Sequence, residues 1–301
     1  MQTPGPLRVR VVAPAFPPDP QTLERGVARL TAAGLHVITD PQCTTRCGIF
    51  AGDTRNRASA LTGALDDPAV DVIWAARGGY GCTVLLPRLH AHQPPRASQR
   101  ARWLVGFSDL TGLFSLAAER WNLRILHAPM PGSTDFHRVS DAQLAATLAL
   151  LHGGPPVPAV DGAPLHHLAG PRRDAAGLLV GGNLTTLNQT TGTPFATGFR
   201  DRLLVLEDVG EPPRKIHAAL LQMHLAGRLN GAAGIILGTF TDCNDGQPAT
   251  EAQLHDATAE FAAHHDLPIW SGLPIGHATD AQWPLPLHTP ACITDDHLRL
   301  T

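Results

Sequence analysis

Short apolar runs alternate with helical stretches through the first half of the chain, and that rhythm leaves few folds open. Leu7-Arg-Val-Arg-Val-Val-Ala13 reads as a strand stopped by Pro14. Thr22–Ala33 sets Leu23, Val27, Leu30 and Thr31 on one side at helical spacing, and Gly34 closes it. His36–Ile38 is a second strand, Thr54–Leu65 a second helix, and Asp71–Ala76 a third strand. Parallel neighbours need a long crossover, usually a helix, so strand-helix-strand-helix-strand predicts a parallel α/β sheet. Trp103–Val105 and Leu123–Leu126 continue it.

The stretch from Gly153-Gly-Pro-Pro to Gly170-Pro171 is rich in Pro and Gly and has little periodicity. It predicts a linker over 153–171, between a first domain at 1–152 and a second at 172–301. Strands reappear at Ala176–Val180, Leu203–Leu206, Gly234–Leu237 and Leu267–Trp270. Helical patterns fall at Arg214–Ala226 and Thr250–His264, so the second half is again mixed α/β.

Composition narrows the function. With 43% hydrophobic residues in 301, the chain can bury a full core without staples. A formal net charge of −3 and the absence of a basic stripe argue against nucleic acid as a partner. The five cysteines, Cys43, Cys47, Cys82, Cys243 and Cys292, are odd in number and scattered, which does not suit a disulfide framework. Cys43 and Cys47 lack a second pair for a zinc site, and the histidines at His90/His92, His166-His167 and His264-His265 do not form the two-histidine helical signature. No metal or cofactor is therefore expected. No apolar stretch reaches the length of a membrane span, and Met1-Gln-Thr-Pro-Gly5 lacks the features of a signal peptide, so a cytoplasmic location without a membrane partner is expected.

Chemistry concentrates at strand ends. Gly106-Phe-Ser-Asp-Leu-Thr111 follows the buried run Trp103–Val105 and precedes the helical Leu113–Ala118. A serine on a sharp strand-to-helix turn exposes its Oγ among backbone N–H groups, which makes Ser108 a candidate nucleophile. The same Ser-Asp pair also suits a helix N-cap, and Leu110 stands where an α/β-hydrolase elbow has its second glycine. Arg77-Gly-Gly-Tyr-Gly-Cys82 follows the third strand. It can be a tight turn, a phosphate cradle or an oxyanion-donor loop, although its spacing matches neither Gly-x-Gly-x-x-Gly nor a P-loop. Glu207, at the end of Leu203–Leu206, can orient a histidine or cap the next segment. His277 follows Gly276 on a loop after Leu267–Trp270. Nucleophile, acid and base would thus follow one another along the chain, each near a strand end.

These residues together resemble the LD-carboxypeptidases, serine peptidases of the muramoyltetrapeptide carboxypeptidase type. The resemblance runs through Val12–Pro14, Arg77–Gly81, Gly106–Thr111, His127–Pro129, Gly181–Leu184, Leu206–Asp208, Gly238–Phe240 and Gly276–His277. It implies a Rossmann-like first domain carrying the serine and a smaller β-rich second domain carrying the acid and the base. The active site is expected between them, in a homodimer. It further implies a triad of Ser108, Glu207 and His277, with the backbone N–H groups of Gly79 and Asp109 as the oxyanion hole. The implied reaction removes D-alanine from a murein tetrapeptide during cell-wall recycling. Ala15, Cys82, Ala128 and the stretch Glu211–His217 depart from the family pattern, and these positions bear on substrate choice and on packing around the acid strand. Two alternatives stand beside this reading. One is a peptidase like those of microcin C self-immunity, which cleave an aminoacyl-nucleotide linkage and stack the base on an aromatic side chain, for which Trp283 is the candidate. The other is a ligand-binding protein that uses the glycine loop without catalysis.

Overall fold

The computed structural model describes residues 5–94, 102–244, 251–263 and 266–301. The pair His264-His265, the start Met1–Pro4 and the two ends of the predicted helix Thr250–His264 lie outside the described residues. The chain divides between Gly154 and Pro155 into two compact units.

The first unit is the expected parallel α/β sheet. Strands β1 (Arg8–Val12), β2 (His36–Thr39), β3 (Val72–Ala75), β4 (Trp103–Gly106) and β5 (Arg124–His127) stand in the order β5-β4-β3-β1-β2. Every pairing among them is parallel. The crossovers are helices α1 (Pro20–Ala32), α2 (Thr54–Asp66), α3 (Cys82–Leu89) and α4 (Thr111–Trp121), and α5 (Asp141–Leu151) closes the unit. Asp19 and Asp53 start α1 and α2 by accepting from the backbone N–H groups of Thr22 and Asn56, and Pro20 presets the first turn of α1. β3 and β4 are buried along their whole length, as strands covered on both faces must be. One core packs Val9, Val11, Leu23, Leu30, Trp74 and Val105 together. The order 2-1-3-4-5 reverses direction between β1 and β3. In open α/β sheets ligands bind at the carboxyl ends of the strands beside such a switch point.

The second unit, Pro155–Thr301, is built on seven strands in the order β13-β12-β7-β8-β9-β10-β6. They are β6 (His166–Ala169), β7 (Ala175–Asn183), β8 (Arg202–Val209), β9 (Gly234–Thr241), β10 (Ile269–Ser271), β12 (Thr289–Thr294) and β13 (His297–Leu300), with a further short strand β11 (Leu285–Leu287). β7, β8, β9 and β10 are parallel, while β6, β12 and β13 join the edges antiparallel. Helices α6 (Leu184–Asn188), α7 (Pro213–Leu225) and α8 (Glu251–Ala263) complete it. A second core gathers Leu204, Leu206, Ile216, Met223, Ile235 and Phe261.

The segment 153–171, expected as a linker, contains β6, which pairs with β10. Its Pro and Gly residues punctuate a structured edge. The chain between Ala281 and Thr301, where the sequence analysis placed no strand, forms the β12–β13 hairpin. Asp295 and Asp296 at its tip both have positive φ, as a two-residue hairpin turn of the I′ kind requires.

Candidate active site

β4 delivers Ser108. After Gly106 and Phe107 the backbone reverses, and Ser108 takes φ +59°, a left-handed conformation that costs a non-glycine residue energy. A single 3-10 turn, Ser108–Leu110, then leads into α4. The turn is closed by Leu110 N–H donating to Phe107 O at 3.2 Å. Gly106, at φ +153°, leaves room for the Leu110 side chain, whose Cδ2 would lie 2.5 Å from a Cβ there. Ser108 is half-buried on this strained strand-to-helix turn, which is formed without the second glycine of an α/β-hydrolase elbow. The side chain of Ser108 does not cap α4.

The glycine loop stands beside it. A Cβ on Gly78 would lie 2.9 Å from both Cβ and Oγ of Ser108, so the loop backbone passes directly against the serine. Gly79, exposed and at φ +118°, could not carry a side chain without meeting the Phe16 ring. The backbone atoms expected as oxyanion donors, on Gly79 and Asp109, therefore belong to two loops at the carboxyl ends of adjacent strands, β3 and β4. The Asp109 carboxylate is buried, and its Oδ2 accepts from the backbone N–H of Cys82 at 2.8 Å. Burial pushes this carboxyl above its ordinary range, opposed by the N–H groups of Cys82 and Gly81 and by the charge of Arg57.

In the second unit Glu207 is fully buried near the end of β8, opposite Asn183 of β7. The β8–β9 register slips between Leu206 and Asp208, a bulge of the kind that re-aims a side chain. His277 Nδ1 lies 2.7 Å from Glu207 Oε2. The loop carrying His277 is stitched to β9 by Leu273 N–H to Leu237 O (3.3 Å) and Thr239 N–H to Ile275 O (2.8 Å). Gly276, at φ +131°, brings this loop tight against Thr239 and Glu207, where a Cβ would lie 3.3 Å from the Glu207 Cβ. Glu207 is thus a histidine partner, and the side chain of its neighbour turns to the head of α6. Asp208 accepts from Thr185 N–H at 2.9 Å, Thr185 Oγ1 at 2.8 Å and Asn183 Nδ2 at 2.8 Å. Burial, and secondarily the charge of Glu207, raises the Asp208 carboxyl above its ordinary range.

The structure thus brings Ser108, Gly79 and Asp109 onto neighbouring loops of the first unit, and joins Glu207 to His277 in the second. Sequence reasoning missed Arg57. It reads as a surface arginine on α2, yet it is buried, with Nη1 donating to Pro14 O at 2.6 Å and to Gly81 O at 2.9 Å and with its guanidinium stacked on Phe50. Its spacing was a readable sign, since it lies on the same helix face as Leu61 and Ala64, both buried.

Comparison with known proteins places this arrangement in a family. Residues 9–128 match the LD-carboxypeptidase N-terminal domain and residues 176–293 the LD-carboxypeptidase C-terminal domain. The chain belongs to the LD-carboxypeptidase family. It is 33% identical to the murein tetrapeptide carboxypeptidase of Pseudomonas aeruginosa over 92% of this chain and 90% of that one. It is 30% identical to a probable murein peptide carboxypeptidase of Bacillus subtilis over 90% and 84% of the two chains. Among solved structures, the muramoyltetrapeptide carboxypeptidase of Oxalobacter formigenes superposes with a TM-score of 0.78 at 25% identity, covering 97% of each chain. The microcin C7 self immunity protein MccF shares the fold, with a TM-score of 0.78 at 17% identity over 99% and 97%.

Proposed function

We propose that this protein is a serine L,D-carboxypeptidase that releases the terminal D-alanine of a murein tetrapeptide, with Ser108 as nucleophile, His277 as general base and Glu207 as the acid that orients it. The observation that carries the reading is the 2.7 Å contact between His277 Nδ1 and the fully buried Glu207 carboxylate. A carboxylate at Nδ1 fixes the tautomer whose Nε2 carries a lone pair, the form that can accept a serine proton.

In this mechanism Ser108 Oγ attacks the carbonyl carbon of the L-configured centre preceding D-alanine, while His277 takes the hydroxyl proton. The carbonyl oxygen gains charge and is met by the N–H groups of Gly79 and Asp109. His277, now cationic and balanced by Glu207, gives its proton to the nitrogen of D-alanine, and the C–N bond breaks. A water molecule, deprotonated by the same imidazole, then attacks the acyl-enzyme ester; its collapse returns the proton to Ser108. The first unit supplies the nucleophile and the second the acid and base. The family resemblance further supports a cytoplasmic homodimer acting in cell-wall recycling. Among the described residues no helix is long and apolar enough to cross a membrane.

The test is release of D-alanine from murein tetrapeptide, abolished by Ser108→Ala. Hydrolysis of an aminoacyl sulfamoyl adenosine with no action on the tetrapeptide would move the substrate to the class handled by the microcin C self-immunity peptidases. Tight binding of either compound without turnover would remove the catalytic reading altogether. Sedimentation velocity checks the dimer.

A further inference from the structure

We infer that the side chain of Asp109, and not only its backbone N–H, is a positioning residue for the oxyanion hole: it ties the glycine loop to the nucleophile turn. The inference rests on the hydrolase reading above and adds a role for a carboxylate that the mechanism does not use.

The two donor loops have no covalent reason to stay in register, since they are separated by α3 and β4. Asp109 spans them. It leaves the turn between Ser108 and Leu110, is only 1% exposed, and its Oδ2 accepts the backbone N–H of Cys82 at 2.8 Å. Cys82 is the first residue of α3 and directly follows Gly81, the last residue of the glycine loop. That loop end is gripped from the other side by Arg57, 1% exposed, whose Nη1 donates to Gly81 O at 2.9 Å and to Pro14 O at 2.6 Å. The grip requires glycine at 81, because a Cβ there would lie 2.7 Å from Arg57 Nη1 and 2.9 Å from the Phe50 ring. At its other end the loop is anchored by β3, with Gly78 packed against Ser108. Gly79 lies between these anchors and is exposed. The position of the Gly79 N–H relative to the Asp109 N–H is therefore set by the Asp109 carboxylate on one side and the Gly78–Ser108 contact on the other.

A bond to an otherwise unpaired first-turn N–H of α3 is also what a helix cap makes, and a cap alone would cost stability without touching catalysis. A misplaced oxyanion donor instead slows the chemical step and leaves ground-state binding alone. The experiment uses the whole chain and a fluorophosphonate, which phosphonylates the nucleophilic serine with loss of fluoride and directs a phosphoryl oxygen that gains charge in the transition state into the hole. The labelling rate of Ser108 is measured for wild type, Asp109→Ala, Asp109→Asn and Ser140→Ala, each with its thermal midpoint. Ser140 caps α5 through a reciprocal pair with Gln143 and lies at the far end of the unit's sequence, so it reports what cap loss alone does. Asp109→Ala is expected to slow labelling about a hundredfold, within the range for loss of one oxyanion donor. Asp109→Asn keeps an acceptor for the Cys82 N–H and is expected to lose less than about tenfold, with KM for the peptide within about threefold of wild type in both. Ser140→Ala is expected to lower the midpoint and leave labelling unchanged. Labelling of Asp109→Ala within about threefold of wild type overturns the inference and leaves the hydrolase reading standing. So does an equal slowing in Ser140→Ala, or a KM that rises in step with the lost rate. Failure of wild type to be labelled at Ser108 overturns both.

Discussion

Replacing Glu207 by glutamine isolates the electrostatic part of the proposed triad. The two side chains have the same shape, so the fully buried position keeps its packing, and the perturbation is the loss of one negative charge 2.7 Å from His277 Nδ1. In the ground state the imidazole is neutral and loses a charge-assisted hydrogen bond. In the transition state it is a cation and loses an ion pair. Unit charges about 4 Å apart at an effective dielectric of about 20 interact by about 4 kcal/mol. At 1.36 kcal/mol per factor of ten, that corresponds to a fall in kcat of roughly a thousandfold. Rotation of the amide to present its NH2 to Nδ1 would select the wrong tautomer and deepen the loss towards about ten-thousandfold. Stability should move the other way or not at all, because an ionised carboxylate in a dry site carries a desolvation cost that the amide lacks. The assay is steady-state release of D-alanine beside a thermal melt of the same preparation. A folded Glu207→Gln protein that retains more than a tenth of wild-type kcat would refute the assignment of Glu207 as the partner of a catalytic imidazole.

Gly78→Ala puts a Cβ 2.9 Å from both Cβ and Oγ of Ser108, so the serine must shift. The expected result is a loss of at least about a hundredfold in kcat for a stability cost of about 1–3 kcal/mol, read by kinetics and urea unfolding. The cysteines should react in a fixed order with Ellman's reagent at pH 8. Burial pushes Cys43 and Cys243 up to about 12 and raises Cys82 well above the ordinary thiol range, so in the native protein these remain protonated thiols, whereas Cys47 is exposed. One fast thiol and one slower one, the half-buried Cys292, are expected before denaturant is added, and three fast thiols would contradict the structure. Arg228→Met should destabilise the second unit by about 2–4 kcal/mol, measured as a shift in the urea midpoint. It removes the charged donor to Leu187 O, Thr191 Oγ1 and Thr197 O, which the guanidinium meets at 2.7, 2.8 and 3.0 Å while stacked on Phe199.

What the sequence revealed of this fold tracks how locally each element is determined. β1 to β5 are short runs bounded by turn residues; burial along the whole strand makes β3 and β4 continuously apolar, whereas β1 carries Arg8 and Arg10 and the edge strand β2 stays half-exposed. α1 and α2 announce themselves by Asp caps and a one-sided apolar pattern. α3 went unread because it starts straight from a glycine and carries Pro87 inside, and both are local signs of a helix's absence. It exists because Leu85, Leu86 and Leu89 are buried where α3 packs beside α2 and α4, and because distant Asp109 satisfies its first-turn N–H. α5 has apolar residues on nearly every side, so periodicity is silent there, although the Ser140–Gln143 pair was a legible start. The β12–β13 hairpin turns on Asp295-Asp296, which looks like a solvated charge pair until its two positive φ angles are known.

The site was legible in a different way. Ser108, Glu207 and His277 were nameable as candidates because each stands beside a glycine or a strand end, and the family resemblance joined them into the proposed triad. What stayed hidden were the groups that hold others in place. The partners of Asp109 are a backbone N–H and, through Gly81, an arginine from another helix. Asp208 holds Asn183 and Thr185 from β7 and the head of α6, while its neighbour Glu207 meets His277. No periodicity or motif records such pairings, because they follow from which loops the sheet order brings side by side. The acids Asp109 and Glu207 differ in this respect too. The proposed role of Glu207 follows from the need of a histidine for a carboxylate. That inferred for Asp109 does not, since the serine beside it is enough to account for the turn. A substitution that spares every triad member yet loosens the glycine loop should therefore cost the enzyme its rate, and Asp109→Ala is where that separation is largest.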